Sequence, residues 1–503
     1  MDTRYDVIVV GGGGSGLAAA VSAAENGASV ILLEKEAHLG GTTGIAVGSF
    51  TANRTRMQEQ AGIDDDLEAH VEDAGEFAAP EIEARNAAGL RRFFLSHTAE
   101  TLHWLMEMGV QFQGPSPESP NRVPRMHNVV PGAKAYVATL QARLLQEGGT
   151  ILCRAPVESL VQVGGQVTGV VARVDGAETR LAADRGVVLA AGDYSSAPDL
   201  IGRFKGDQFT EIEGINPHSH GDGHRLAEEV GGRLVNMDLT YGPEIRFVAR
   251  EGRTFQQLLP AGGPVAAMMG RLVSLTPKFI LNKLILRLLV TWQHPEEALF
   301  EDGAILINVK GRRFCDETRC PDREIAIAGQ PGKVCYILLD ERLIERYSRW
   351  PHFISTAPEI AYAYVDDYLK LRRDVAVVGP SPTVVARRRD IPVEALEKTV
   401  AAYNRKAGAA DRPLLQGNRW LLLGPAKAYF TTTEGGTAIN EQFQVLDKRD
   451  RPLLGLYAVG QNGLGGQVLW GHGLHIAWAM TSGRMVGALL ARGRAGRQQD
   501  RVG

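Results

Sequence analysis

At 503 residues the chain exceeds the size at which one hydrophobic core stops growing, so two domains are expected, with room for a large buried cofactor. A net charge of −3 with 22% charged residues offers no electrostatic footprint for nucleic acid. The four cysteines, Cys153, Cys315, Cys320 and Cys335, form no C-x-x-C pair and have no histidine nearby, which argues against a zinc or iron–sulfur site and for free thiols in a reducing compartment.

The β-branched run Val7 to Val10 predicts a strand buried on both faces. It begins too early for a secretory signal peptide, so the expected location is cytoplasmic. Gly11, Gly13 and Gly16 follow at G-x-G-x-x-G spacing, and Leu17 to Asn26 predict a helix that Gly27 ends. Gly11 permits the tight exit from the strand, Gly13 lets backbone amides approach a pyrophosphate, and Gly16 allows the helix to lie close on the sheet. The helix then aims unpaired N–H groups and partial positive charge at phosphate. Val30 to Leu33 make a second strand, and Glu34 arrives about 20 residues beyond the glycines, where a carboxylate accepts a ribose hydroxyl.

The glycine- and threonine-rich run from His38 to Phe50 suits backbone lying against a flat ligand. Residues 66–110 read as helical, with Leu90, Phe93, Phe94, Leu102, Leu105 and Met106 at three- and four-residue spacings. A Pro- and Ser-rich loop spans Gly114 to Pro124, a helix is predicted over Ala133 to Glu147, and Thr150 to Arg180 reads as strands turning at Gly164-Gly165 and Asp175-Gly176. Val187 to Leu189 rebuild a buried strand, and Gly221 opens a helix that Gly231-Gly232 terminate. The βαβ rhythm then stops until Glu434. The division expected is a first part of one domain over 1–236, an inserted domain over 237–433, the second part over 434–491, and a polar, disordered tail over 492–503. Within the insert, Phe279 to Trp292 is too short and too charged to span a bilayer. Lys278, Lys283 and Arg287 beside apolar faces fit a helix lying in a membrane interface, hence a peripheral membrane contact; a helix packed on the protein itself or on a second subunit is the alternative.

In order, DVIVVGGGGSGLAAA, LLEKEAHLGGTTG, GVVLAAGDY, HGDGHRLAEEVGG, GAILINVKGRRFCDE, EGGTAINEQFQVLD and GLYAVGQNGLGG resemble the fumarate reductase/succinate dehydrogenase flavoprotein superfamily, which includes the 3-ketosteroid dehydrogenases. The resemblance implies an α/β fold in which a Rossmann-type FAD-binding domain is interrupted by an α+β capping domain that holds the substrate. It places Gly11, Gly13, Gly14, Ser15 and Gly16 at the pyrophosphate, Glu34 and Lys35 at the adenosine ribose, and Gly41, Thr42 and Thr43 along the pyrophosphate and flavin. Val157 would meet the adenine, Gly192 would flank the adenosine half, and Gly460 and Gln461 would sit near the ribitol. Leu474, His475 and Ile476 would point amides at the flavin pyrimidine edge, where a helix N-terminus stabilises the charge of a reduced flavin. Thr42 stands where the membrane-complex enzymes carry a flavin-linking histidine, so the FAD is expected to be non-covalent.

Departures from the pattern bear on substrate. Members that bind dicarboxylates resemble one another in a histidine before the T-G-G block and an arginine in the last loop; this chain has Thr431 to Thr433 and Trp470. Their proton-donating arginine is also missing: Pro321 stands at the comparable place, with Arg319 two residues earlier. Without those cations two carboxylates would be costly to desolvate, which argues against fumarate and succinate. The tyrosine that ketosteroid dehydrogenases carry in the last loop falls at Leu469. Candidate proton carriers are Tyr241 and His472, expected to converge on the substrate from the cap and from the loop before the last helix. Trp470 would wall an apolar substrate, with Arg319 and Tyr194 as weaker substrate contacts; the alternatives are a salt-bridge partner for Arg319 and an ordinary surface or interface ring for Tyr194. The implied function is an FAD-dependent dehydrogenase or ene-reductase acting on a small neutral carbonyl compound, such as a cyclic ketone or 3-ketosteroid, with an unidentified electron acceptor or donor and no metal. A flavin-carrying electron-transfer subunit, or a family member that only binds, is the alternative.

Overall fold

A computed structural model of the chain describes residues 3–248, 286, 289–290, 293–357, 361–409 and 413–492. Nearly all of the 279–292 segment and residues 493–503 of the tail lie outside the described residues; of the segment, Leu289 and Val290 are buried in the cap core and Leu286 packs against it. No helix among the described residues is long and apolar enough to cross a membrane.

The first large sheet has eight strands. At its centre Arg4–Val10 lies between Val30–Leu33 and Ala177–Leu189, parallel to both, with Val7 opposite Val30 and Ile8 opposite Val187. Val7, Ile8 and Val9 are wholly buried, each contributing roughly 1.5–3 kcal/mol on leaving water. Pro452–Ala458 returns from the far end of the sequence and adds parallel to Ala177–Leu189, so chain segments on either side of the cap complete one sheet. Hairpins turn at Gly164-Gly165 and Asp175-Gly176, where Val163 faces Gln166 and Val174 faces Ala177.

Two helices cross on this sheet, Gly14–Glu25 and Leu474–Arg492. Their contact depends on absent side chains: a Cβ on Gly483 or on Gly487 would lie 2.3 Å from the carbonyl oxygen of Ser15 or of Ala19. That approach seats the last helix beside the glycine turn.

The cap has its own core around a six-stranded sheet. Its central strand, Trp420–Phe430, pairs antiparallel with Cys335–Leu339, Ala376–Gly379 and Glu244–Phe247. Residues before 237 also belong to this core. Glu213–Gly214 pairs parallel with Tyr429 and Phe430, and Tyr194, Leu200, Phe209 and Ile212 bury their side chains with it, the Phe209 and Phe430 rings 6.4 Å apart. The chain therefore visits the cap at about 194–214, returns to the first core through Leu226 and Ala227 of the helix Asp222–Glu229, and leaves again near 237. A single boundary at 236/237 misses the first visit because the strand that carries it is two residues long.

A third, three-stranded sheet of Ser49–Thr51, Met126–Val130 and Gln111–Ser116 lies against the first core. The loop from its last strand back to Met126 carries Glu118 toward the cap.

Candidate active site

The glycine turn is built as its sequence requires. Gly11 has φ +108°, and a Cβ on Gly16 would sit 1.9 Å from the Gly11 carbonyl oxygen. The helix that begins at Gly14 has no side-chain cap. The Gly14 amide reaches Thr43 Oγ1 at 3.3 Å, and Gly41, at φ +48°, lies beside the turn with its Cβ position 3.5 Å from Gly13 Cα. Ser15 stands against Gly460, whose N–H donates to Ser482 Oγ at 3.0 Å and whose carbonyl accepts from Trp478 Nε1 at 2.9 Å.

Glu34 ends the second strand with its carboxylate already braced: Oε2 accepts from the Gly12 amide at 2.7 Å and Oε1 from the Glu36 amide at 2.8 Å. Each oxygen retains a lone pair for a hydroxyl. Lys35 turns elsewhere, donating to Asp222 and to the His218 carbonyl, both at 2.7 Å. Thr42 Oγ1 accepts from Asn216 Nδ2 at 2.9 Å. Val157 opens its strand half-buried, and Gly192, at φ +79°, has open space where a Cβ would be. Gln461 donates to Thr432 Oγ1 and the Thr433 carbonyl, each at 2.8 Å, while its buried Oε1 takes no partner among the described residues. At the start of the last helix the Leu474 amide already donates to the Gly471 carbonyl at 3.2 Å. The amides left for a ligand there are those of His475 and Ile476.

An uncapped helix N-terminus behind glycines, open space at Gly192 and an orphaned acceptor at Gln461 together fit a dinucleotide with a polyhydroxyl chain. FAD has those parts. With Glu34 accepting the ribose hydroxyl as the resemblance implies, Glu34→Ala would remove that bond and the brace on Gly12 together, and FAD affinity should fall by about 1.5–3 kcal/mol, read by titrating the apoprotein with FAD.

Tyr241, Trp470 and His472 are brought together. Thr240–Tyr241 forms a short antiparallel ladder with Thr432–Thr433, which is tied down from the FAD side by Asp193, bonded to Thr432 Oγ1 at 2.8 Å. The Tyr241 ring meets Trp470 edge-on, centroids 5.8 Å apart at 85°. Burial, with a smaller push from Glu244, drives the Tyr241 phenol well above its usual range. His472, two residues past Trp470, bonds Glu118 through Nδ1, and its amide donates to the same oxygen, Glu118 Oε1, at 2.9 Å. Its side chain is 50% exposed, whereas that of Glu118 is 4% exposed. The Glu118 bond raises the His472 pKa against the opposing effect of burial.

Several residues at this place escaped the sequence reading. On the strand Glu244–Phe247, alternation buries Ile245 and Phe247 and turns Glu244 and Arg246 to the other face, where they pair at 2.8 Å and both reach Thr431 Oγ1. Burial alone would raise Glu244, but His294 and Arg246 outweigh it and hold its carboxyl below the usual range. Glu434, fully buried, accepts from the Leu469 amide at 3.2 Å and pairs with His475 Nε2 at 2.6 Å. The acid in the EGG block and the E-x-R alternation after Tyr241 were usable signals; Glu118 had none beyond being the one acid between Gly114 and Pro124.

The two weaker substrate candidates have other partners. Tyr194 is 0% exposed, edge-on to His224, with its hydroxyl donating to the Met237 carbonyl at 2.5 Å, so it is a core residue of the cap. Arg319 lies on an exposed turn of the cap, 3.5 Å from Asp316, and joins none of the contacts around Tyr241 and His472.

The FAD binding domain family matches residues 6–266 and 280–468. A probable fumarate reductase of Shewanella frigidimarina (strain NCIMB 400) is 25% identical over 90% of this chain and 69% of its own length. The open conformation of a flavocytochrome c3 fumarate reductase shares the fold with a TM-score of 0.71 at 23% identity, over 98% of this chain and 78% of that one. So does 3-ketosteroid Δ1-dehydrogenase from Sterolibacterium denitrificans in complex with 1,4-androstadiene-3,17-dione, with a TM-score of 0.65 at 18% identity over 97% of this chain and 100% of that one. The chain belongs to the FAD binding domain family, within the fumarate reductase/succinate dehydrogenase flavoprotein superfamily, and is an FAD-dependent oxidoreductase acting on CH–CH bonds.

Proposed function

We propose that the protein catalyses α,β-dehydrogenation, or the reverse ene reduction, of a neutral, largely apolar carbonyl compound such as a cyclic ketone or 3-ketosteroid, exchanging electrons with a separate partner. The observation that carries this reading is the edge-on contact of Tyr241 and Trp470 beside His472, where the nearby guanidinium, Arg246, is ion-paired with Glu244. An aromatic wall with its cation already neutralised favours an uncharged substrate over a dicarboxylate.

FAD, when bound, supplies the acceptor of the substrate's β-hydride in one direction and its donor in the other. The chain's own residues manage the proton. Tyr241 stays protonated across the working range, so it serves as the donor that holds the carbonyl oxygen as enolate character develops. His472 takes the α-proton in dehydrogenation and returns it in reduction.

A pH dependence follows, with opposite signs for the two directions. Glu118 holds His472 above its usual 6.5. Dehydrogenation needs the neutral ring, so its rate should rise with pH through a midpoint above 6.5 and then level; ene reduction needs the protonated ring and should fall through the same midpoint. Anaerobic mixing of the FAD-loaded protein with a panel of saturated cyclic ketones and 3-ketosteroids tests the reading. Bleaching of the flavin is expected. A flavin that no ketone bleaches, but that exchanges electrons rapidly with a redox protein, would favour an electron-transfer subunit instead.

A further inference from the structure

Two imidazole–carboxylate pairs stand at the start of the last helix, and they differ in one respect. Glu434 spends both oxygens, one on His475 Nε2 and one on the Leu469 amide. Glu118 spends Oε1 twice on His472, through the ring and through the backbone amide, and leaves Oε2 buried with no partner among the described residues. A carboxylate bonded through both oxygens is held at two points and serves as an anchor. A buried carboxylate with one oxygen unspent has its charge offset chiefly by the ring it holds, and that compensation changes as the ring titrates.

We propose that Glu118 is the positioning residue of His472, fixing the ring in its Nδ1–H tautomer so that Nε2 is the nitrogen presented to the α-carbon of the substrate. The inference rests on the proton-carrying role given to His472 above. When Nε2 takes the α-proton, the ring becomes imidazolium and its charge meets the Glu118 carboxylate already in place; the half-exposed ring can then release that proton to solvent. Among the described residues, the other charged groups around the ring are Glu244 and Arg246 of the cap strand, largely cancelling each other, with His294 beyond Glu244. Tyr241 remains a neutral phenol, and the Glu434–His475 pair lies three residues on, at the first turn of the last helix. Glu118 is therefore the unbalanced anion that faces His472. It arrives from the loop between Gln111–Ser116 and Met126–Val130, so the proton carrier is assembled from both ends of the FAD domain.

The test uses the full FAD-loaded chain with ¹⁵N-labelled histidine, the His472 ring being assigned with His472→Asn. In the wild type the neutral ring is expected to carry its proton on Nδ1 and to titrate above 6.5. Glu118→Gln is expected to lower that midpoint by about one pH unit or more and to mix the tautomers. The pH–rate midpoint for bleaching by a ketone should move down by the same amount. A wild-type ring protonated on Nε2, or a midpoint that Glu118→Gln leaves in place, overturns the proposal, as does a loss of rate that is equal at every pH. If Glu118→Gln fails to fold, the wild-type tautomer still decides, and Glu118→Asp supplies the titration. The ring titration needs no substrate: a protein that no ketone bleaches but whose His472 shifts as stated loses the proposed substrate class alone, and a bleached enzyme whose His472 does not shift loses the role of Glu118 alone.

Discussion

His472→Ala lowers the single-turnover rate of flavin reduction by about 10²–10⁴-fold while FAD stays bound, the usual scale for a positioned proton carrier. Tyr241→Phe lowers it by about 10²–10³-fold, because the ring and its contact with Trp470 remain and the donor to the developing oxyanion is removed. The two variants separate by pH. Phenylalanine at 241 leaves the His472 titration in the profile, whereas alanine at 472 removes it. Stopped-flow reduction of each variant by a ketone that bleaches the wild type provides the measurement, with the flavin spectrum reporting occupancy. Near-normal rates in both would remove this pair from the mechanism.

Arg125→Met destabilises the protein by about 3–5 kcal/mol, because it strands carboxylates that the fold has buried. The Arg125 side chain is 0% exposed and joins Asp65, 1% exposed, at 2.7 Å, and Asp73, 5% exposed. It also donates to Asn121 Oδ1 at 3.0 Å, and Arg122 binds Asp73 at 2.7 Å, so this network pins the loop that brings Glu118 to His472. Urea unfolding measures the loss. The variant also carries a functional signature: where it still folds, loosening the loop should move the His472 titration in the direction that Glu118→Gln does.

What the sequence disclosed and what it hid follow the range of the interactions concerned. The glycine turn, its helix and Glu34 lie within one βαβ unit, where spacing alone fixes geometry, and the turn has the φ values and close contacts that spacing demands. Tyr241 and the loop of Trp470 and His472 could be singled out through the order of sequence blocks, and the Tyr241 ring meets that of Trp470. Glu118 was not, because its bond to His472 spans 354 residues and no periodicity marks the loop that carries it. Tyr194 misled for a related reason. It follows a strand that ends in small residues, a position beside a ligand in the resemblance, but the chain turns there into its first visit to the cap and buries the ring. Arg319 was a weaker candidate for lying two residues before the place of the superfamily's proton-donating arginine, and its exposed turn leaves its charge in water beside Asp316.

An aromatic wall and a His472–Tyr241 pair are expected to select a neutral enone or ketone over a dicarboxylate. Photoreduced protein mixed anaerobically and in parallel with a 3-keto-4-ene steroid, with 2-cyclohexenone and with fumarate tests it directly through the rate of flavin reoxidation. At least one of the enones should reoxidise the flavin at least about 10²-fold faster than fumarate does at equal concentration, because two carboxylates would be desolvated with no unpaired cation among the described residues around Tyr241 and His472 to meet them. Reoxidation by fumarate at a rate equal to or above that of both enones would contradict it.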